Sequence, residues 1–130
     1  MSLNRAFTAL SAIYILSLLV LPRLIGRDAL NHLWNPYSLL HIPLYGVLMT
    51  LLTLALSARR SHWATSPAPH FSSLWLPGGI SFLTGLLDEL NQAFIPGREA
   101  SGFDLLLNLV GIVLAGAALS FYRSFHKGRG

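Results

Sequence analysis

The sequence predicts an all-α protein, an integral membrane bundle of four transmembrane helices. Three observations carry that prediction. Of the 130 residues, 53% are apolar and only 11% are charged, too few charges to clothe a soluble domain of this size. The apolar residues gather into four segments, each close to the ~20 residues a helix needs to cross a ~30 Å hydrocarbon layer. Those segments are apolar all round and do not alternate, which excludes half-buried strands. Lipid also offers the backbone no hydrogen-bond partners, so helices are the expected spanning form. The length suits a single domain, residues 1–130.

The first helix is expected over 6–22, "AFTALSAIYILSLLVLP". Arg5 ahead of it also fits the charged start of a signal peptide, but no small-x-small cleavage site follows in "LVLPRLIG". The second is expected over 37–57, "YSLLHIPLYGVLMTLLTLALS". The third, 73–95, contains Pro77 followed by Gly78 and Gly79, a sign of a kink or of close packing. The fourth is expected over 103–122, "FDLLLNLVGIVLAGAALSFY". Proline, glycine and charged residues fill the connections, and Pro96-Gly97 suits the centre of a type II turn.

Lysine and arginine set the orientation. With four spans, Arg5, Arg59, Arg60, Arg123, Lys127 and Arg129 share one side. Arg23, Arg27 and Arg98 lie opposite, diluted by Asp28 and Glu99. The positive-inside rule therefore places both termini in the cytoplasm of a multi-pass protein of the cytoplasmic membrane. The turn "PGREASG" then faces outward. The net charge of +4 is scattered and forms no basic face with interleaved aromatics, so nucleic acid is not expected as a partner. Membrane lipids with anionic headgroups are the natural counter-charge. Cysteine is absent, which excludes disulfides and thiolate metal sites.

Four of the five acids fall between Leu86 and Gly111, hemmed in by leucines. An acid at mid-bilayer costs ~2.5–3.5 kcal/mol on the insertion scale, and an ionisable group inside a span is a functional hypothesis by default. On the third helix, Ser81, Gly85, Asp88 and Gln92 recur at spacings of four, three and four, one small and polar face. Glu89 lies about 100° further round, and Asn91 is three residues from Asp88. On the fourth, Asp104, Asn108, Gly111 and Ala115 form a similar stripe, and Gly111 with Ala115 permits close helix approach. On the second, His41 and Tyr45 are four apart. The orientation brings these groups to one level near the outer surface.

Each group also has a structural reading. "SGFD" reads as a capping box, with Ser101 at the N-cap and Asp104 three residues on. Arg98 can pair with Asp88 or Glu89. Asn108 can serve as interhelical hydrogen-bond glue, and His41 as a satisfied histidine on an apolar face. Two acids and a histidine also make an acceptable set for a divalent cation. HExxH, GxSxG, Walker and DxD motifs are all absent.

The stretch "DELNQAFIPGREASGFDLLLNLVG" resembles the signature of the VanZ-like membrane proteins. It matches at Asp88, Glu89, Gln92, Pro96, Gly97, Arg98, Ser101, Asp104, Asn108 and Gly111. "LLHIPLYGVL" resembles that family's upstream element, with His41 and Tyr45 in place and Leu40 where members often carry lysine. The resemblance covers about two thirds of the chain. It implies a small multi-spanning bacterial membrane protein of the cell envelope, in a family whose namesake is associated with low-level resistance to the glycopeptide teicoplanin. The expected site is His41, Tyr45, Asp88, Glu89, Gln92, Arg98, Asp104 and Asn108. Three roles stay open for it: binding a headgroup, a divalent cation or a lipid-linked cell-wall component; an intramembrane enzyme acting on a lipid-linked substrate with an acid as base and His41 or a metal assisting; or a polar knot that sets helix register.

Overall fold

A computed structural model describes residues 3–24, 36–57, 74–95 and 100–127. They form an all-α four-helix bundle: α1 (Leu3–Leu24), α2 (His41–Ser57), α3 (Trp75–Ala93) and α4 (Gly102–Lys127). A 3-10 turn, Pro36–Leu40, leads into α2. Pro43 explains the tightened entry, since it has no N–H to offer the carbonyl one turn back. Successive helices run in opposite directions. The last turns of α3 meet the first turns of α2 and α4, and Asn91 near the end of α3 reaches Leu19 near the end of α1.

α2 is the central element and packs most extensively on α4. Tyr45, Leu48, Met49 and Leu52 form the core with Leu18 of α1, Leu74 and Ile112 of α4. The expected small-residue seam lies here. A Cβ built on Gly46 would stand 3.4 Å from the Gly111 carbonyl oxygen and 3.9 Å from Ala115 Cβ. One built on Gly111 would overlap the Ile42 carbonyl. Without side chains at these positions the two backbones come into direct contact, which is the use of small residues at such crossings.

The bundle partitions its residues unusually. Leu10, Ile13, Leu16, Leu83, Leu87, Leu106, Val113 and Leu114 are exposed, each by half or more. Ser11, Thr53, Ser81, Thr84, Asp88, Glu89, Gln92 and Asn108 are buried. Hydroxyls inside the bundle donate to the carbonyl one turn back: Ser11 to Phe7 (2.8 Å), Thr53 to Met49 (2.7 Å), Ser81 to Pro77 (2.9 Å) and Thr84 to Ile80 (2.9 Å). That bond hides a polar group in an apolar setting without needing another helix. By length and composition, two helical stretches suffice to cross a membrane, Ser38–Leu56 and Gly102–Tyr122. The apolar part of α1, Arg5–Leu21, is shorter, and α3 carries Asp88 and Glu89 within its span.

Two sequence expectations change in detail. α3 runs unbroken through Pro77, Gly78 and Gly79. Pro77 sits in the first turn, where a missing N–H costs the helix nothing, and Gly78 has only an ordinary approach of 3.8 Å to Ile112. α4 continues to Lys127, because the sequence after Tyr122 supplies no breaker before Gly128.

The Gly111 contact yields a prediction. Gly111→Ala forces α2 and α4 apart and costs ~1–3 kcal/mol, the usual range for overpacking. Gly79→Ala, whose Cβ meets nothing within 4 Å, stays within about 0.5 kcal/mol of wild type. Thermal melting of the two variants in the same detergent separates them.

Candidate functional site

The polar groups of three helices meet at one end of the bundle. α2 supplies His41 and Tyr45 from its first turns, α3 supplies Asp88, Glu89 and Gln92 from its last turns, and the start of α4 supplies Ser101, Asp104 and Asn108. Helical spacing places them as the sequence anticipates: Ser81, Gly85, Asp88 and Gln92 share the buried face of α3. Glu89, which the periodicity sets to one side, is buried as well, at 3% exposure. It faces the N-terminus of α4.

The link between α3 and α4 is specific. Ser101 is the N-cap of α4: its carbonyl accepts the Leu105 N–H at 3.2 Å, and its hydroxyl accepts the Asp104 N–H at 3.2 Å. In a closed capping box, the acid three residues on would accept the N-cap N–H in return. Here the Ser101 N–H instead donates to Glu89 Oε2 of α3, at 2.8 Å. Glu89 thus places a carboxyl oxygen at the N-terminal end of α4. The Asp104 carboxylate is thereby released from capping and turns toward His41.

His41 is fixed from the other side. Its Nδ1 lies 2.8 Å from Asn108 Oδ1. With the amide so oriented, Nδ1 carries the proton and donates to Asn108. Nε2 then faces Asp104 Oδ2 at 4.0 Å, too far for a direct hydrogen bond. The imidazole stacks parallel to the Tyr45 ring, with centroids 6.2 Å apart. Tyr45, fully buried, donates from its hydroxyl to Asp88 Oδ2 at 3.4 Å. Asn108, also fully buried, packs against Gly85, where a Cβ would come within 2.8 Å of its Nδ2. Gly85 is therefore the residue that makes room for Asn108 in the bundle.

One ligand atom from each of His41, Glu89 and Asp104 lies within 4.8 Å of the others. His41 and Asp104 keep side-chain exposures of 15% and 16%, whereas Glu89 is buried. Three buried polar atoms around it have no hydrogen-bond partner among the described residues: Glu89 Oε1, Asp104 Oδ1 and Asn108 Nδ2. Such atoms are rare in folded proteins, and an unmade bond there costs ~1–3 kcal/mol, more for a charged group.

Of the expected site, the structure brings together His41, Tyr45, Asp88, Glu89, Asp104 and Asn108. Gln92 is buried one turn beyond Asp88. Arg98, with Pro96 and Gly97, lies outside the described residues. Two contributors went unassigned in the sequence reading, the Ser101 backbone N–H and Gly85. A backbone donor leaves no residue-type signal, whereas Gly85 already stood in the polar stripe. No protein-family model, no curated protein and no solved structure matches the chain.

The capping geometry is testable. Ser101→Ala removes the hydroxyl cap but keeps the N–H that reaches Glu89, and costs about 1 kcal/mol. Glu89→Ala leaves that N–H without its acceptor and costs ~1–3 kcal/mol. The double variant loses less than the sum of the two, because both act on one helix start. Denaturation midpoints of the four proteins in detergent measure the coupling.

Proposed function

We propose that this chain is a VanZ-like integral membrane protein of the bacterial cytoplasmic membrane. It crosses four times with both termini in the cytoplasm. Its polar site takes the headgroup of a lipid-linked cell-envelope component from the outer leaflet. The observation that carries this reading is the convergence of His41, Glu89 and Asp104, from three different helices, at one end of a bundle whose outer faces are apolar.

Physical arguments support each part. An exterior lined with leucine, valine and isoleucine suits hydrocarbon, and ionisable groups within spans face the bundle interior and mark a site. The alternating helix directions place the ends of α1 and α3 with the starts of α2 and α4, and the arginine and lysine balance puts that end outside. His41 and Asp104 are the accessible members, so a ligand arriving from the outer leaflet meets them first. Asn108, fully buried, acts through His41 by fixing the orientation of its ring. Arg98, which lies between α3 and α4 in the sequence, has a fork suited to phosphate or carboxylate. The matched positions Asp88, Glu89, Ser101, Asp104, Asn108 and Gly111 all have a part in the site or in the α2–α4 seam.

One observation favours an enzymatic alternative on a lipid-linked substrate. His41 presents a lone pair beside the Asp104 carboxylate, an arrangement that can accept a proton from a hydroxyl or water. In that case His41→Gln abolishes turnover, whereas the binding reading calls only for weaker retention of the headgroup.

Topology and binding are checked separately. The chain has no cysteine, so single replacements report cleanly. Ala100→Cys reacts with an impermeant maleimide on intact cells, and Arg60→Cys reacts only after permeabilisation; the reverse pattern refutes the orientation. For binding, the protein in nanodiscs containing undecaprenyl phosphate retains that lipid in native mass spectrometry. Asn108→Ala reduces retention by about tenfold, the equivalent of one buried hydrogen bond at ~1.4 kcal/mol. Retention equal to that of a bulk phospholipid overturns the headgroup reading.

A further inference from the structure

We propose that His41 Nε2, one Glu89 carboxylate oxygen and one Asp104 carboxylate oxygen form a site for a divalent transition-metal ion. The inference rests on the reading of this end of the bundle as a binding site, and it names the ion that makes such binding possible.

The ligand chemistry comes first. One imidazole nitrogen and two carboxylate oxygens suit first-row divalent ions such as Zn²⁺ and Mn²⁺. Three protein ligands with a further position free is the pattern of sites that also engage a substrate or water. The three residues come from α2, α3 and α4, with ligand atoms within 4.8 Å of one another. A tetrahedral shell with bonds of ~2.0–2.1 Å sets ligand pairs ~3.3 Å apart, so the widest pair closes by ~1.5 Å on loading.

Independent features point to the same ion. Glu89, 3% exposed, has a buried oxygen, Oε1, with no hydrogen-bond partner among the described residues. Asp104 Oδ1 is in the same position. A carboxyl oxygen in low dielectric that lacks a hydrogen bond is costly, and a divalent cation bound there removes that cost. Two carboxylates, a neutral imidazole and one dication sum to zero charge.

The second shell is already arranged. A metal-binding histidine usually donates its other ring N–H to an oxygen, which fixes its tautomer. The 2.8 Å contact between His41 Nδ1 and Asn108 Oδ1 does this and leaves Nε2 as the ligand atom. Glu89 Oε2 is oriented by the Ser101 N–H at 2.8 Å. The ion also answers a problem of charge. Unaided, an acid-lined site repels an anionic headgroup, whereas a bound dication accepts phosphate or carboxylate oxygens in its free positions.

The test uses full-length protein in detergent, stripped with chelator and free of added lipid-linked ligand. Titration with Zn²⁺ or Mn²⁺, followed by calorimetry and metal analysis after gel filtration, shows one equivalent bound and a raised melting temperature. Co²⁺ shows visible d–d bands of a nitrogen- and oxygen-ligated ion. Glu89→Gln, which keeps an acceptor for Ser101, and Asp104→Asn each weaken binding at least tenfold, and His41→Gln removes the Co²⁺ bands. Thr53→Val, twelve residues along α2 from His41 and bonded only to the Met49 backbone carbonyl and sulfur among the described residues, binds within about threefold of wild type. Circular dichroism confirms that each variant is helical before titration. Folded wild type that binds no ion overturns the proposal, as does binding that survives both Glu89→Gln and Asp104→Asn. Because no lipid is present, these results stand apart from the nanodisc measurement. Metal binding with no retention of undecaprenyl phosphate leaves the site and removes the headgroup, and retention that survives chelator removes the metal.

Discussion

The hydrogen bond from the Ser101 N–H to Glu89 Oε2 organises this end of the molecule. A helix start has four N–H groups without intrahelical partners. α4 satisfies one with its own serine hydroxyl and another with a glutamate from the neighbouring helix. The second choice has three effects. It locks the end of α3 to the beginning of α4. It gives a buried carboxyl group a backbone N–H partner at the start of the neighbouring helix. It also releases Asp104 from the capping role its position would otherwise assign. Without that exchange Asp104 would close its own cap, and His41 would have no carboxylate before it.

The contacts of His41 with Asn108 and Asp104 require α2 and α4 to come close, and glycine arranges this. Gly111 lets the α4 backbone touch the Ile42 carbonyl, one residue from His41, and Gly46 accepts the Gly111 carbonyl in return. His41 and Asn108 therefore reach each other across a seam with no intervening side chain. Gly85 performs the matching service on α3 by leaving space for Asn108 beside Tyr45. Small residues here place polar groups, and the helix packing follows from the same three positions.

Most of this pattern was legible in the sequence. The spacing of Ser81, Gly85, Asp88 and Gln92 marks one helical face, and that face is buried. His41 and Tyr45 at four residues, and Gly111 and Ala115 at four, likewise lie where a helix of 3.6 residues per turn puts them. Other features had no signal of that kind. Glu89 looked displaced because periodicity compares a residue with its own helix, and its partner is a backbone N–H twelve residues on. The reach of Asn91 to the Leu19 carbonyl, at 2.9 Å, joins α3 to α1 through a main-chain acceptor that every residue type carries equally. "SGFD" correctly signalled the Ser101 cap, but a local motif could not reveal that another helix completes it. The helix ends also shifted where the signal was composition alone, as at the end of α4.

A polar knot built only to set helix register would behave differently from what is seen. Buried networks stabilise a unique packing when every member is satisfied, and a partly satisfied network is worse than an apolar core. Parts of this cluster meet that standard: Tyr45 with Asp88, His41 with Asn108 and Glu89 with Ser101 each make a bond between elements. The same residues also leave Glu89 Oε1, Asp104 Oδ1 and Asn108 Nδ2 buried without hydrogen-bond partners among the described residues. Replacing Asp104 by leucine would serve a register role at lower cost, since burying an acid in place of a hydrocarbon is rarely stabilising. Retaining acids whose remaining oxygens lack hydrogen bonds, with a histidine held in one tautomer beside them, favours a site prepared for something positively charged.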